Sequence, residues 1–187
     1  LEHKVPYIIT GSSNPIVTRR TDLDTSYFFH HCPTTVAYGT YTALFIDSAI
    51  RPAINAKFNF SSDRPLRLAV LYQDNSFGQG VLNATQTTIA AKNLNIQIVS
   101  QQGYARGEKD FRTVLSAVKA AKPDVVYTAP GPSESILILP QARRDLGMDT
   151  ILIVDDDADI RRAFRRNLEA DALVIAEAGD GPEAIRM

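Results

Sequence analysis

A doubly wound α/β architecture is predicted by three observations. From Arg67 onward short β-branched runs alternate with longer helical stretches, the runs are apolar almost throughout, and the connections between them are short. A near-continuous apolar run is what a strand covered on both faces requires, in contrast to the alternation of a half-exposed one. Five runs qualify, at residues 66–72, 95–100, 124–129, 150–154 and 172–177. Right-handed crossovers make a flavodoxin-like parallel five-stranded sheet in the order 2-1-3-4-5 the economical topology, with an extra N-terminal arm.

Four helical segments separate these strands. Over residues 109–121, Phe111, Val114, Leu115 and Val118 recur at i, i+3, i+4 and i+7, one apolar face to lay on a sheet. The segment ends at Lys122-Pro123, because proline disfavours helical geometry in the residue before it. Gly147 reads as a helix C-cap, with Arg143 and Arg144 placed at the negative end of the dipole. A last helix is expected over 158–169, with Asp157 as its N-cap.

Upstream of Arg67 the pattern is less regular. Residues 5–10 and 27–32 are strand-like, with a loop over 11–20 between them. A helix is expected over 34–56, with Ala37, Tyr41, Leu44, Phe45 and Ser48 on its inner face. Arg51-Pro52 is expected to kink or end it, since an interior proline removes a hydrogen bond and clashes with the preceding turn. The chain divides into an arm, crossover strand and helix over 1–65, a central part over 66–149, and a βαβ-like part over 150–187, all within a single α/β domain.

The 187 residues suffice for one good core, with 44% hydrophobic and 22% charged residues. A net charge of −1 made of interleaved signs leaves no footprint for nucleic acid or an anionic membrane. No run approaches the roughly 20 apolar residues of a membrane span. The one cysteine, Cys32, excludes an internal disulfide and reads as a small buried residue. His3, His30 and His31 show no metal spacing, and adjacent histidines on a strand point to opposite faces. No nucleophile elbow or phosphate-cradling glycine loop is present, so no enzyme and no cofactor are expected. Leu1-Glu2-His3 reads as a processing or cloning boundary.

Residues 4–149 resemble the middle of a type I periplasmic solute-binding protein of the branched-chain amino acid and amide-binding kind. The pieces come in order. Val5-Pro6-Tyr7-Ile8-Ile9 with Ser12-Ser13-Asn14-Pro15 resembles the last strand and ligand loop of the first lobe, and Tyr27-Phe28-Phe29-His30 its crossover strand. Residues 68–78 resemble the strand and acidic turn of the second lobe. Gly107-Glu108-Lys109-Asp110-Phe111, Pro123-Asp124-Val125-Val126-Tyr127 and Gln141-Ala142-Arg143 complete the series. From Thr150 the text changes. Ile151-Leu152-Ile153-Val154-Asp155-Asp156-Asp157 resembles the first strand and acidic turn of response-regulator receiver domains, and residues 174–185 the second strand and following helix start.

The two resemblances imply a chimera, engineered or recombined, with no complete site of either parent. From the solute-binding parent, Ser12, Ser13 and Thr18 resemble the first-lobe side of the ligand cleft. Phe77, Gly131 and Glu134 resemble the second-lobe side. From the receiver, Asp155 and Asp156 resemble the acidic pair that holds Mg²⁺; the turn reads first as a solvated helix cap, with weak Mg²⁺ binding by Asp155, Asp156 and Asp74 as the alternative. An open half-site cannot bury a small ligand well, so strong binding of an amino acid is not expected. The alternative reading is a weak small-solute binding module, for an amino acid or amide, of the ABC-transporter substrate-binding class. The compartment stays open, because the parents resemble periplasmic and cytoplasmic proteins respectively. The expected partner is a second copy, by strand or arm exchange.

Overall fold

The structure is a computed structural model, which describes residues 5–129 and 132–148. Its centre is a parallel sheet of β3 (Leu66–Gln73), β4 (Ile96–Tyr104) and β5 (Val125–Ala129), in the order β4-β3-β5. That is the 2-1-3 start of the expected order. The last two expected strands, 150–154 and 172–177, lie outside the described residues, as do Gly131, the acidic pair Asp155 and Asp156, and the helix expected over 158–169.

The sheet is covered on both faces because the side chains of its central strand alternate between two cores. Leu66, Leu68 and Val70 join Ile46, Leu82, Ile96 and Val125 on one side. Ala69 and Leu71 join Tyr104, Phe111, Leu115, Val118, Val126, Ile138, Ala142 and Met148 on the other. The first face carries α3 (Ser76–Ala91) and the segment with Ile46, Ile50 and Ile54, while α1 (Thr35–Phe45), just before that segment, packs on α3. The second carries α4 (Arg112–Ala120) and α5 (Pro132–Pro140), the latter continuing through a wide turn at Gln141–Asp145.

Local signals place the ends. Phe111, Leu115 and Val118 are fully buried, as their spacing requires, and Phe111 stands just before the first turn of α4. Its backbone N–H donates to Gln141 Oε1 at 2.6 Å, so the residues from Lys109 to Phe111, expected to be helical, are held as a turn. Lys122 takes a left-handed φ of 48° before Pro123. Gly147 does the same at 56° and closes the helix as expected, its N–H donating to Arg143 O and that of Met148 to Ala142 O.

The N-terminal helix departs from its expected form twice. Thr35, Gly39, Ala43 and Ile46 are its buried positions, whereas Tyr41 and Ser48 are exposed. Small residues won this face because it packs on α3: a Cβ on Gly39 would stand 2.6 Å from Ala84 Cβ and from Val81 O. Pro52 does not end the helix. Residues Ile46–Ile50 form a π turn, Arg51 N–H reaches back to Ile46 O, and α2 (Arg51–Lys57) follows with the proline in its first turn. The missing proline donor falls where a widened turn absorbs it.

The arm forms β1 (Tyr7–Ile9), paired in parallel with β2 (Phe28–His30) in register Tyr7 to Phe28 and Ile9 to His30. It covers neither edge of the described three-stranded sheet and makes its own two-stranded one. No helix among the described residues is long and apolar enough to cross a membrane.

Candidate functional site

In an open parallel sheet the crevice for a ligand lies outside the carboxyl ends of the strands where the chain order reverses. Here that point lies between β3 and β5, because β4 follows β3 on one side and β5 returns to the other. Gln73 ends β3, Ala129 ends β5, and the helices that follow both strands start at this edge.

Glu134 occupies the reversal point. It sits in the first turn of α5, is 3% exposed, and accepts hydrogen bonds on Oε1 from Gln73 Nε2 at 3.1 Å and from Gly107 N–H at 2.9 Å. Ser133 Oγ donates to Oε2 at 2.8 Å. The Gly107 N–H leads in holding the carboxyl below its ordinary range, against the opposing effect of burial and with help from Ser133 and Gln73. Gln73 passes the network on, accepting from Asn75 Nδ2, while Asn75 Oδ1 caps α3 by accepting from Gly78 N–H at 2.9 Å. Glu134 and Phe77 are therefore brought to one edge through Gln73 and Asn75. Half-buried Phe77 meets Tyr38 of α1 edge-on, with ring centroids 5.9 Å apart.

The serine loop is held against α1. Ser13 O accepts from Thr35 N–H at 2.8 Å, Ser13 Oγ lies 3.7 Å from Cys32 Sγ, and Cys32 in turn donates to Ser12 O. Asn14 Oδ1 caps the short 3₁₀ turn Pro15–Val17. Thr18 faces the loop itself, donating to Pro15 O at 3.4 Å and accepting from Thr25 Oγ1 on its carbonyl. Ser12 and Ser13 thus share a frame with the start of α1, while Thr18 is spent on loop closure. Among the described residues no group of three metal-ligating side chains converges.

Sequence reading missed Gln73, Asn75 and Tyr38. Asn75 carried a signal, an amide residue directly before a helix start. Gln73 carried none, since a polar residue ending an apolar strand reads equally as a loop.

The sequence profile of the periplasmic binding proteins matches residues 1–170. The chain belongs to the periplasmic binding protein family. The match continues past residue 150, where the receiver-like text begins, and no comparison shows a receiver domain. An amino acid binding protein of Pseudomonas aeruginosa is 29% identical over 120 residues, covering 64% of this chain and 27% of its own length. The Leu/Ile/Val-binding protein of Escherichia coli is 33% identical over 88 residues, covering 47% and 23% respectively. The chain thus spans about a quarter of the curated relatives it matches. A leucine binding protein of Thermotoga maritima superposes with a TM-score of 0.63 at 22% identity, over 87% of this chain and 41% of that one. A Rhodopseudomonas palustris solute-binding protein in complex with benzoate gives 0.62 at 12% identity, over 92% and 50%. These likenesses show the fold, an α/β lobe with parallel sheets. The family is one of binding proteins, not of catalysts.

Proposed function

We propose that this periplasmic binding protein serves as a small-solute binding module of the ABC-transporter substrate-binding class, located in the periplasm and taking an amino acid or amide. Glu134 is the observation that carries the reading. A carboxylate offers about four acceptor sites, and three are filled by Gln73, Gly107 and Ser133. The Glu134 backbone N–H also acts on the carboxylate, so a ligand ammonium or amide N–H would share Oε2 with Ser133, beside Phe77. Ser12 and Ser13, on a loop fastened to the start of α1, supply hydroxyls and amides for a ligand carboxylate. Gly131, which lies outside the described residues, is assigned to the same solute by its resemblance alone. Thr18 shapes the loop.

Titration of the chain with leucine, followed by amide NMR, tests this. Saturable shifts at Ser12, Ser13 and Phe77 with a dissociation constant on the order of 1 mM, about −4 kcal/mol, are expected from an open crevice. Glu134→Gln and Phe77→Ala should each weaken binding. Absence of shifts at those residues up to about 50 mM leucine, some fifty times that constant, would overturn the assignment.

The receiver-like motif from Ile151 to Asp157 favours a second reading, a recombined chain in which residues 150–187 come from a signalling protein. The source locus decides between them. A continuous natural gene across residue 150 removes the chimera.

A further inference from the structure

We infer that the seam between α1 and α3 is a second binding site, adjoining the proposed solute site at Asn14 and Ser76 and running away from it toward Asn83 and Thr87, for an uncharged polyhydroxylated solute of mono- to disaccharide size. A groove of about 460 Å³ runs along this seam, within the roughly 300–1,000 Å³ range of small-molecule sites. The two helices run in parallel, Thr35 beside Gly80, Gly39 beside Ala84 and Thr40 beside Thr88. Gly39 lets the backbones close beneath the groove, so its floor is a fixed helix pair rather than a loop.

The chemistry of the walls selects the ligand. No charged side chain lines the groove among the described residues, and Val36 is its one large aliphatic side chain. An ion would enter without a counter-charge, which burial penalises heavily. The hydrogen-bonding groups, by contrast, are numerous and under-used. Ser76, Asn83 and Thr87 make no side-chain hydrogen bond among the described residues. Asn14 spends its Oδ1 on Ile16 N–H and keeps both Nδ2 protons. Thr40 and Thr88 share one hydrogen bond at 3.1 Å, which consumes one of their two hydroxyl protons. An apolar ligand would strip water from all of these donors and acceptors without replacing it, whereas a polyol presents both at close spacing. Small Gly80 and Ala84 seat α1 closely, Gly80 against Thr35 and Ala84 against Gly39, and so fix the floor of the groove.

The probes are glucose and maltose, titrated into the full chain by amide NMR, with leucine as a separate titration. Expected are saturable shifts of the Asn83 side-chain amide and of the Gly80 N–H, at sugar concentrations that leave Ser12 and Phe77 unmoved. Exposed Asn83→Leu and Thr87→Val should each weaken sugar binding at least about fivefold without changing the leucine response, which keeps a failure here distinct from a failure at the sheet edge. Absence of shifts at about 100 mM of either sugar, or equal response in the variants, would overturn the inference. Thermal unfolding of each variant identifies any loss that comes from misfolding, and Thr88→Val, which breaks the hydroxyl pair, then serves as the replacement test.

Discussion

Glu134 sits where stability and the proposed binding role meet, and its charge makes both depend on pH. Its carboxyl titrates below the ordinary value of 4.5 in the folded chain. The folded state therefore binds the proton less readily than the unfolded one, and the charge contributes stability that is complete above pH 4.5 and fades as pH falls through the folded value. Glu134→Gln should flatten that acid limb of the urea-unfolding profile. Glu134→Ala should lose about 2–3 kcal/mol at neutral pH, because Gly107 N–H and Gln73 Nε2 are left without acceptors. Asp110 supplies an exposed contrast. The Arg112 guanidinium, with Arg112 N–H, holds its carboxyl down at about 2. NMR titration of Arg112→Ala should return it toward the usual aspartate range, with little effect on stability. Gly39 is a residue of the opposite kind, chosen for what it lacks. Alanine would gain about 1 kcal/mol of helix propensity there, but its Cβ would press on Val81 O and Thr85 N, at 2.6 and 2.7 Å. Backbone atoms yield little, so Gly39→Ala should destabilise by a net ~1–2 kcal/mol in urea unfolding. Gly11→Ala meets nothing within 4 Å and should be neutral.

Elements are joined at the amino edge of the sheet by a clamp that reading along the chain did not expose. Asp124 accepts from the two terminal guanidinium nitrogens of Arg64 at 2.8 and 2.9 Å and from Arg67 N–H at 2.8 Å. Arg67 meanwhile donates to the carbonyls of Ala121 and Lys122 at the end of α4. This ties the entry to β3 to the entry to β5. Asp124→Ala leaves a part-buried arginine and an amide unpaired, and should cost about 2–3 kcal/mol by urea denaturation. Such a clamp is invisible in one dimension because its partners lie 57 and 60 residues apart. Periodicity is local, and it served well where one face decides the fold, in the three apolar strands and the Phe111–Val118 stripe. It failed in α1, where hydrophobicity pointed to Tyr41 and the structure buried Gly39 and Ala43. Close helix packing selects for small size, which an apolar count does not weigh. The candidate site divides the same way. Phe77 and Glu134 were singled out by resemblance and the structure places both at one sheet edge, but the Gln73 and Asn75 bridge between them depends on two strands meeting.

At the scale of the whole molecule, the ribbon of β1 and β2 stands out among the described residues for its incomplete burial. Parallel strands are stable when covered on both faces, and a two-stranded sheet alone is marginal in water. Here Tyr7, Ile8 and Phe29 are 60%, 64% and 52% exposed, and Val5 beside them is 65% exposed. The ribbon is fastened by its own ladder and by Thr35 N–H on Ser13 O, so among the described residues it is held in place without being covered. An exposed apolar patch with free strand edges is a template for another chain. A second copy offers the same strand sequence in the same register, by pairing or by exchange of the arm. Light scattering on the full chain should therefore show a concentration-dependent dimer, and a version starting at Thr25, which lacks β1, should shift to monomer. Replacing exposed Ile8 with Lys should have the same effect while leaving the three-stranded sheet intact, which far-ultraviolet circular dichroism would verify. If all three proteins were monomeric and equally stable, the ribbon would be self-sufficient and the argument from uncovered faces would be wrong.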